Sequence, residues 1–352
     1  MTPKKPHHPI AWTLAALGLA GTVAFAQAPP PAAPTTPPSV AQATPAPASP
    51  PTVVPAPAPA TPAPAPPPSI NTGIRNKIAA NDLLSAESIL EVHRAKNGEG
   101  GAYLVGLSWL ARGALLTGDG EKADRYAADV RARCADSLAH GTDLSKSHDV
   151  EIALGAAIEV AAQRLERTKN KEAAASYVRA ELARWGGPVA FRSRLNKRLN
   201  MLTLTGAPAP ELAIEDFVGD RPPTLASLRG KPVLLFVWAE YCSDCRAQET
   251  ALARVQSRYA GKGLQIIALT RYYEQDVADR PREKARVDSV WKADYHDMAN
   301  VPIVLSTASG ERYGGSSTPT FVFIDRAGIV RRYTPTRLTE AELDRSLSDL
   351  VR

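Results

Sequence analysis

Cys242 and Cys245 stand three apart at the end of an apolar, β-prone run, Val233–Trp238, and the residues after them read as a helix. In a first helical turn, residues i and i+3 share one face with Cβ atoms roughly 5–6 Å apart. The Cα separation of such a turn lies within the ~4.4–6.8 Å that a disulfide tolerates. The helix N-terminus adds unpaired N–H groups and the positive end of the macrodipole, which favour a thiolate over a thiol. A thiolate is the species that attacks a disulfide. Strand, Cys-x-x-Cys and helix together make a dithiol able to cycle between oxidised and reduced states.

Two blander readings compete. A zinc site would need two further ligands at compatible spacing. The remaining cysteine, Cys134, lies far upstream, and the six histidines are scattered without a paired spacing. No metal is expected, and no cofactor. An inert structural disulfide is the other reading of the pair.

The elements that must position this dithiol occupy only part of the chain, whose 352 residues are enough for two domains. Met1–Pro9 carries Lys4 and Lys5, Ile10–Ala26 is almost free of polar residues, and Ala24–Phe25–Ala26 closes the run before Gln27. Basic start, short apolar stretch and small-x-small site make residues 1–26 a secretory signal peptide. The protein is therefore expected in the periplasm or cell envelope. The alternative is an uncleaved helix that anchors it to the inner membrane, although the run is at the short edge for a span. Residues 27–69 read as a Pro/Ala-rich disordered linker. Eighteen of the 31 prolines fall there, with no aromatic and no charged residue. Such a composition buries too little surface to offset its ordering entropy. The formal charge of +6 comes from basic residues interleaved with acids. That pattern describes solvated faces, so no nucleic-acid partner is expected.

Residues 70–203 read as a helical domain. Apolar positions recur at helical spacing in Leu83–Leu90, Tyr103–Ala114 and Ala123–Val130, with Gly118–Asp119–Gly120 as a turn. Ile152–Leu165 and Ala174–Leu182 repeat the arrangement around Lys169–Asn170. The paired helical hairpins resemble a tetratricopeptide-type array, with a period longer than that family's usual one. An adaptor surface for a protein partner is the functional reading, and a plain bundle the structural one. Cys134 is expected here as a small core residue.

From residue 204 to 352 the pattern changes. Gly206–Leu212 leads into an expected hairpin, followed by strand Pro232–Trp238 and a helix from Ser243 to about Ala260, stopped by Gly261. Leu264–Thr270, Pro302–Leu305, Thr320–Ile324 and Ile329–Tyr333 read as strands. One helix is expected within Tyr272–Tyr295, and a capped one closes the chain at Thr339–Val351. Strands alternating with helices make an α/β sheet covered on both faces.

Several pieces then occur in a telling order: Ala209–Leu212, Leu228–Lys231, Trp238–Ala239–Glu240–Tyr241–Cys242 with Cys245, Tyr313–Gly314, Thr318–Pro319–Thr320 and Phe323–Gly328. In this order they resemble the TlpA/ResA-like envelope thiol–disulfide oxidoreductases of thioredoxin fold. The resemblance covers residues 206–352 and implies a thioredoxin-like α/β domain there, so that with the helical region before it the chain is expected to be multidomain, all-α then α/β. It implies a cis proline facing the cysteines, at Pro319, with the Thr318 backbone pairing to an extended substrate as an added strand. Trp238 and Tyr241 are the further candidate substrate contacts. By the same analogy Cys242 is the nucleophile and Cys245 the resolving thiol. Arg246 favours the thiolate and Asp244 opposes it.

The chain also departs from its relatives. Gln248 stands where a proton-handling Glu is usual, and Glu249, one residue on, points about 100° further round a helix. Thr250 replaces thioredoxin's kinking proline, and Phe236 its buried acid. Glu240 and Glu249 are the candidate proton relays. The resemblance implies an exported oxidoreductase acting on client proteins with cysteine pairs, foremost as a reductant, fed by a membrane electron donor and serving clients such as apocytochrome c. Two alternatives remain. One is an AhpC/TSA-type peroxidase, which wants a lone cysteine with Thr three residues before it, where Ala239 stands. The other is an adaptor in which the helical domain works and the redox domain gates it.

Overall fold

The computed structural model describes residues 69–352 apart from Gln275. The signal-peptide and linker expectations lie outside these residues, except at Ser69, whose side chain caps the first helix. Among the described residues, seven helices fill 70–203: α1 Ile70–Ala79, α2 Leu83–Asn97, α3 Gly101–Thr117, α4 Gly120–Ala139, α5 His148–Thr168, α6 Lys171–Trp185 and α7 Val189–Thr203. Their starts are chemically marked. Asp82, Asp119 and Asn170 each accept a backbone N–H of the first turn, satisfying a donor that the helix itself leaves free. Gly118 closes α3 in the left-handed conformation, which lacks a Cβ penalty only for glycine. Helices α1, α3, α5 and α7 lie side by side in one layer, and α2, α4 and α6 each bridge two of them. The hairpins expected around residues 118–120 and 169–170 are present as α3–α4 and α5–α6. Cys134 is buried in this core, as expected.

The remaining residues build a six-stranded sheet, β1 Asp216–Val218, β2 Val233–Val237, β3 Gln265–Thr270, β4 Ile303–Leu305, β5 Thr320–Ile324 and β6 Val330–Thr334, in the order β1-β4-β3-β2-β5-β6. Strands β2, β3 and β4 run parallel, and β1, β5 and β6 pair antiparallel to their neighbours. Leu234 and Phe236 of β2 face α9 Glu249–Tyr259, α10 Arg280–Asp294 and α12 Glu340–Leu350. Val233, Leu235 and Val237 face Leu204, Leu212, Leu225, Leu228 and Tyr313, the last just beyond α11 Thr307–Arg312. Burial on both faces is why β2 reads as an unbroken apolar run.

Two local expectations are corrected. The hairpin expected after Gly206–Leu212 is not formed: β1 pairs with the distant β4, and residues 206–209 themselves hydrogen-bond to Gly328 and Val330. The helix expected from Ser243 to Ala260 is broken. A short α8, Ser243–Arg246, is followed by a turn at Ala247–Gln248 before α9 begins. In that turn the buried Gln248 side chain accepts the N–H of Leu338 at 2.8 Å, an anchor from the far end of the chain.

The helical region is joined to the sheet through α7. Arg192 donates twice to Glu311 of α11, at 2.8 and 2.7 Å, and the Asn200 amide donates to the Arg312 carbonyl at 2.9 Å. Gly314 has φ +70°, and a Cβ there would stand 2.5 Å from the Lys197 Cα, so the two backbones touch. Among the described residues, no helix is long and apolar enough to cross a membrane.

Candidate active site

Strand β2 delivers the chain to the dithiol in a fixed posture. The Trp238 N–H donates to the Leu269 carbonyl at 2.9 Å, and the Cys242 N–H to Ala239 at 3.0 Å. Cys242 is the N-cap of α8, and its sulfur accepts the Cys245 N–H at 3.0 Å. The two cysteines are joined in a disulfide with Cα atoms 5.2 Å apart. Cys242 keeps 8% of its surface exposed and Cys245 none. The opposed charges beside the pair are each answered elsewhere. Arg246 donates to the Glu240 carbonyl at 2.9 Å and faces Asp294 at 3.7 Å, while Asp244 meets Arg337 at 3.3 Å. What bears on the Cys242 sulfur from the protein is thus chiefly the backbone N–H above it.

The Thr318–Pro319 bond is cis. It opens β5, whose first residue, Thr320, stands opposite Val237 at the exit of β2. The topology therefore brings Thr318–Pro319 and the Trp238–Cys242 segment to one end of the sheet. Among the described residues, no hydrogen bond engages the Thr318 N–H or C=O.

The two aromatic candidates separate. Trp238 is fully buried against Trp291 at 4.9 Å and Tyr295 at 5.3 Å between ring centres, so the expectation that it contacts substrate is corrected: it is a packing residue. Tyr241 is exposed and meets Tyr273 edge-on at 5.0 Å. Tyr273 in turn lies under the Arg271 guanidinium, 4.4 Å from its ring centre, and burial pushes its phenol above the ordinary range, with Tyr241 adding to it. Tyr273 and Arg271 were not foreseen from the sequence. Their one signal is position, in the loop that leaves the carboxyl end of the parallel strand β3, where open α/β sheets place their ligands.

Neither candidate relay hydrogen-bonds a cysteine. Glu240 is buried; its Oε1 accepts from Arg286 at 3.0 and 3.2 Å, and its Oε2 is buried without a partner. Arg286 also reaches Glu274 at 3.4 Å and the fully buried Glu283 at 4.0 Å. Glu283 pins the loop after β3 by accepting the N–H groups of Tyr273 and Glu274. Glu249 opens α9, accepts the Thr250 hydroxyl at 3.0 Å, and has its other oxygen buried without a partner. Its carboxylate, His296 and Asp297 bring ligand atoms within 4.8 Å of one another, with the latter two exposed; nothing else about this cluster points to a cation.

A mixed sheet with a dithiol capping the helix after its central parallel strand, and a cis proline opening the antiparallel strand beside it, defines a thioredoxin-like domain. Residues 205–333 match the model of the AhpC/TSA family, so the C-terminal part of the chain is an AhpC/TSA-type, thioredoxin-like domain following a helical region. The thiol:disulfide interchange protein DsbE of Pseudomonas fluorescens biotype C is 30% identical over 129 residues, 36% of this chain and 65% of that one. The chain thus spans just under two thirds of that relative. The thioredoxin-like protein YneN of Bacillus subtilis strain 168 is 25% identical over 142 residues, 40% of this chain and 78% of YneN. A crystal structure of a thiol:disulfide interchange protein of the thioredoxin family from Chlorobium tepidum TLS aligns with 22% identity and a TM-score of 0.34, over 42% of this chain and 97% of its own.

Proposed function

We propose that this chain is an exported thiol–disulfide oxidoreductase that reduces disulfides in client proteins. The observation that carries the reading is the asymmetry of the closed Cys242–Cys245 pair: Cys242 keeps a small exposed fraction and its sulfur accepts a backbone N–H, while Cys245 is fully buried. In the reduced protein the Cys242 thiolate attacks one sulfur of a client disulfide. That S–S bond breaks, a mixed disulfide forms, and the departing client thiolate takes up a proton. Cys245 then gives up its proton and attacks Cys242, which closes the pair and releases the second client thiolate. Two electrons pass to the client, and a dithiol donor must restore them. The unengaged Thr318 backbone beside the dithiol supports docking of the client as an added strand. The DsbE relative supports disulfide interchange as the chemistry, and the TlpA/ResA resemblance supports apocytochrome c as a client class and a membrane protein as donor.

The test is trapping in the full chain. Cys245→Ser should accumulate mixed disulfides with clients, and Cys242→Ser should accumulate none and lose turnover of a protein disulfide. The reverse pattern would exchange the roles of the two cysteines, and adducts in neither variant would remove the activity. A dithiol potential above that of the glutathione pool would make the protein an oxidant. The AhpC/TSA match raises peroxide reduction as a second chemistry. Ala239 at the position where that chemistry wants Thr argues against it, and hydrogen peroxide should be consumed no faster than by Cys242→Ser.

A further inference from the structure

We propose that the layer of α1, α3, α5 and α7 is a docking surface for an acidic, extended segment of the client, continuous with the edge at which the client disulfide meets Cys242. This rests on the disulfide-exchange reading above and names the chemistry of the partner. At its centre a single carboxylate, Glu159 of α5, is held by three cations: Arg194 at 2.7 and 3.0 Å, Lys197 at 3.2 Å and Arg112 at 4.0 Å. A fourth, Arg75 of α1, stands over the Trp109 ring at 5.0 Å, and Arg112 over the same ring at 4.4 Å. Among the described residues, no other carboxylate pairs with these four cations. Four cations gathered about Glu159 and the Trp109 indole therefore leave three positive charges in excess.

Crowding is visible in Arg112 itself. Burial, with the like charges of Arg194 and Arg75, pushes its guanidinium down to about 10 against the pull of Glu159. Keeping unmatched cations partly out of water costs folding free energy, so their retention points to an anion that completes them. The side chains of Arg112, Arg194 and Lys197 are only 21, 17 and 20% exposed. A flat anionic surface such as a bilayer meets such recessed groups poorly, whereas a single extended chain carrying carboxylates can lie along the layer and meet guanidinium groups in pairs. The chain's own residues 27–69 carry no charged residue and cannot supply the anion. The layer touches the segment that leads to the cis proline. The Lys197 backbone packs against Gly314, which is four residues ahead of Thr318 in the chain.

The experiment uses the full-length protein and two disulfide-bonded peptides identical except that Asp and Glu in one become Asn and Gln in the other. Wild type should show a KM about tenfold lower for the acidic peptide, with the preference fading in high salt. In Arg75→Gln/Arg112→Gln the KM ratio should fall to roughly twofold or less. The exposed Arg75→Gln alone should narrow it in part, which keeps the test alive if the double variant does not fold. Equal KM values in wild type, or a preference that survives both variants, would overturn the proposal. Anisotropy of labelled peptides with Ser in place of Cys reads docking without exchange. Tight binding of the acidic peptide there, with neither parent peptide reduced, would sustain the docking surface and sink the exchange reading. Arg75-dependent sedimentation with phosphatidylglycerol vesicles, without peptide discrimination, would assign the surface to membrane and overturn the proposal.

Discussion

Side chains of one chemical type behave differently here according to what surrounds them. Cys134 is a thiol without an outlet: burial pushes it up to about 12, whereas an unfolded chain ionises its cysteines near ~8.5. Between those values the unfolded state releases a proton that the folded state retains, so stability falls as pH rises. Wild type should lose about 1.4 kcal/mol per pH unit more than Cys134→Ala between roughly pH 9 and 11, measured by urea unfolding at each pH. Parallel slopes would show that Cys134 is not sealed. The two aromatics before the dithiol differ in the same way. Trp238→Ala empties a buried site among Trp291 and Tyr295 and should cost about 3–5 kcal/mol. Tyr241→Ala should change stability by less than about 0.5 kcal/mol while raising KM for a protein disulfide. A Tyr241 variant with unchanged KM would leave that ring outside the client contact.

At the scale of elements, the break between α8 and α9 shows what local pattern conveys and what it omits. The apolar periodicity of residues 243–260 continues through Ala247 and Gln248, so nothing local marks a stop. The turn coincides with a hydrogen bond from Leu338, ninety residues away, to the Gln248 side chain. Gln248→Ala removes the acceptor and should cost about 1–3 kcal/mol, with Cys242 alkylation in the reduced protein changing little. A large change in alkylation rate with stability intact would instead give Gln248 a role in proton handling. Strands β2 and β5 and the capped α12 were legible because their signals are local: continuous apolar runs, and Thr339 with Glu342 in a capping box. The dithiol was legible for the same reason, since its spacing and its helix are contiguous. The pairing beyond Gly206–Leu212, read as a hairpin, was not, because β1 pairs with the distant β4 and residues 206–209 with 328–330, partners that only the assembled sheet brings close. The Arg271–Tyr273–Tyr241 stack assembles residues from two loops and has no sequence signature of its own.

At the scale of the molecule, α7 closes over α11 and the segment that leads to Thr318. Its Arg192 is held to Glu311 by two hydrogen bonds, and the Lys197–Gly314 contact leaves no room for a side chain. Gly314→Ala combines a left-handed backbone with that collision and should cost about 1–3 kcal/mol. It should also weaken reduction of a protein disulfide more than alkylation of Cys242 by a small reagent. Far-UV and near-UV signals from wild type should unfold together; separate transitions would mean that the two regions are only loosely joined. Leu204, just past the end of α7, is part of the apolar cover on the second face of the sheet. Its placement constrains how parts can be exchanged between proteins. A cut made between Leu204 and β1 would take that side chain from the cover of the sheet. A joint placed ahead of α7 keeps Leu204, the Arg192–Glu311 bonds and the Lys197–Gly314 contact on one exchangeable piece.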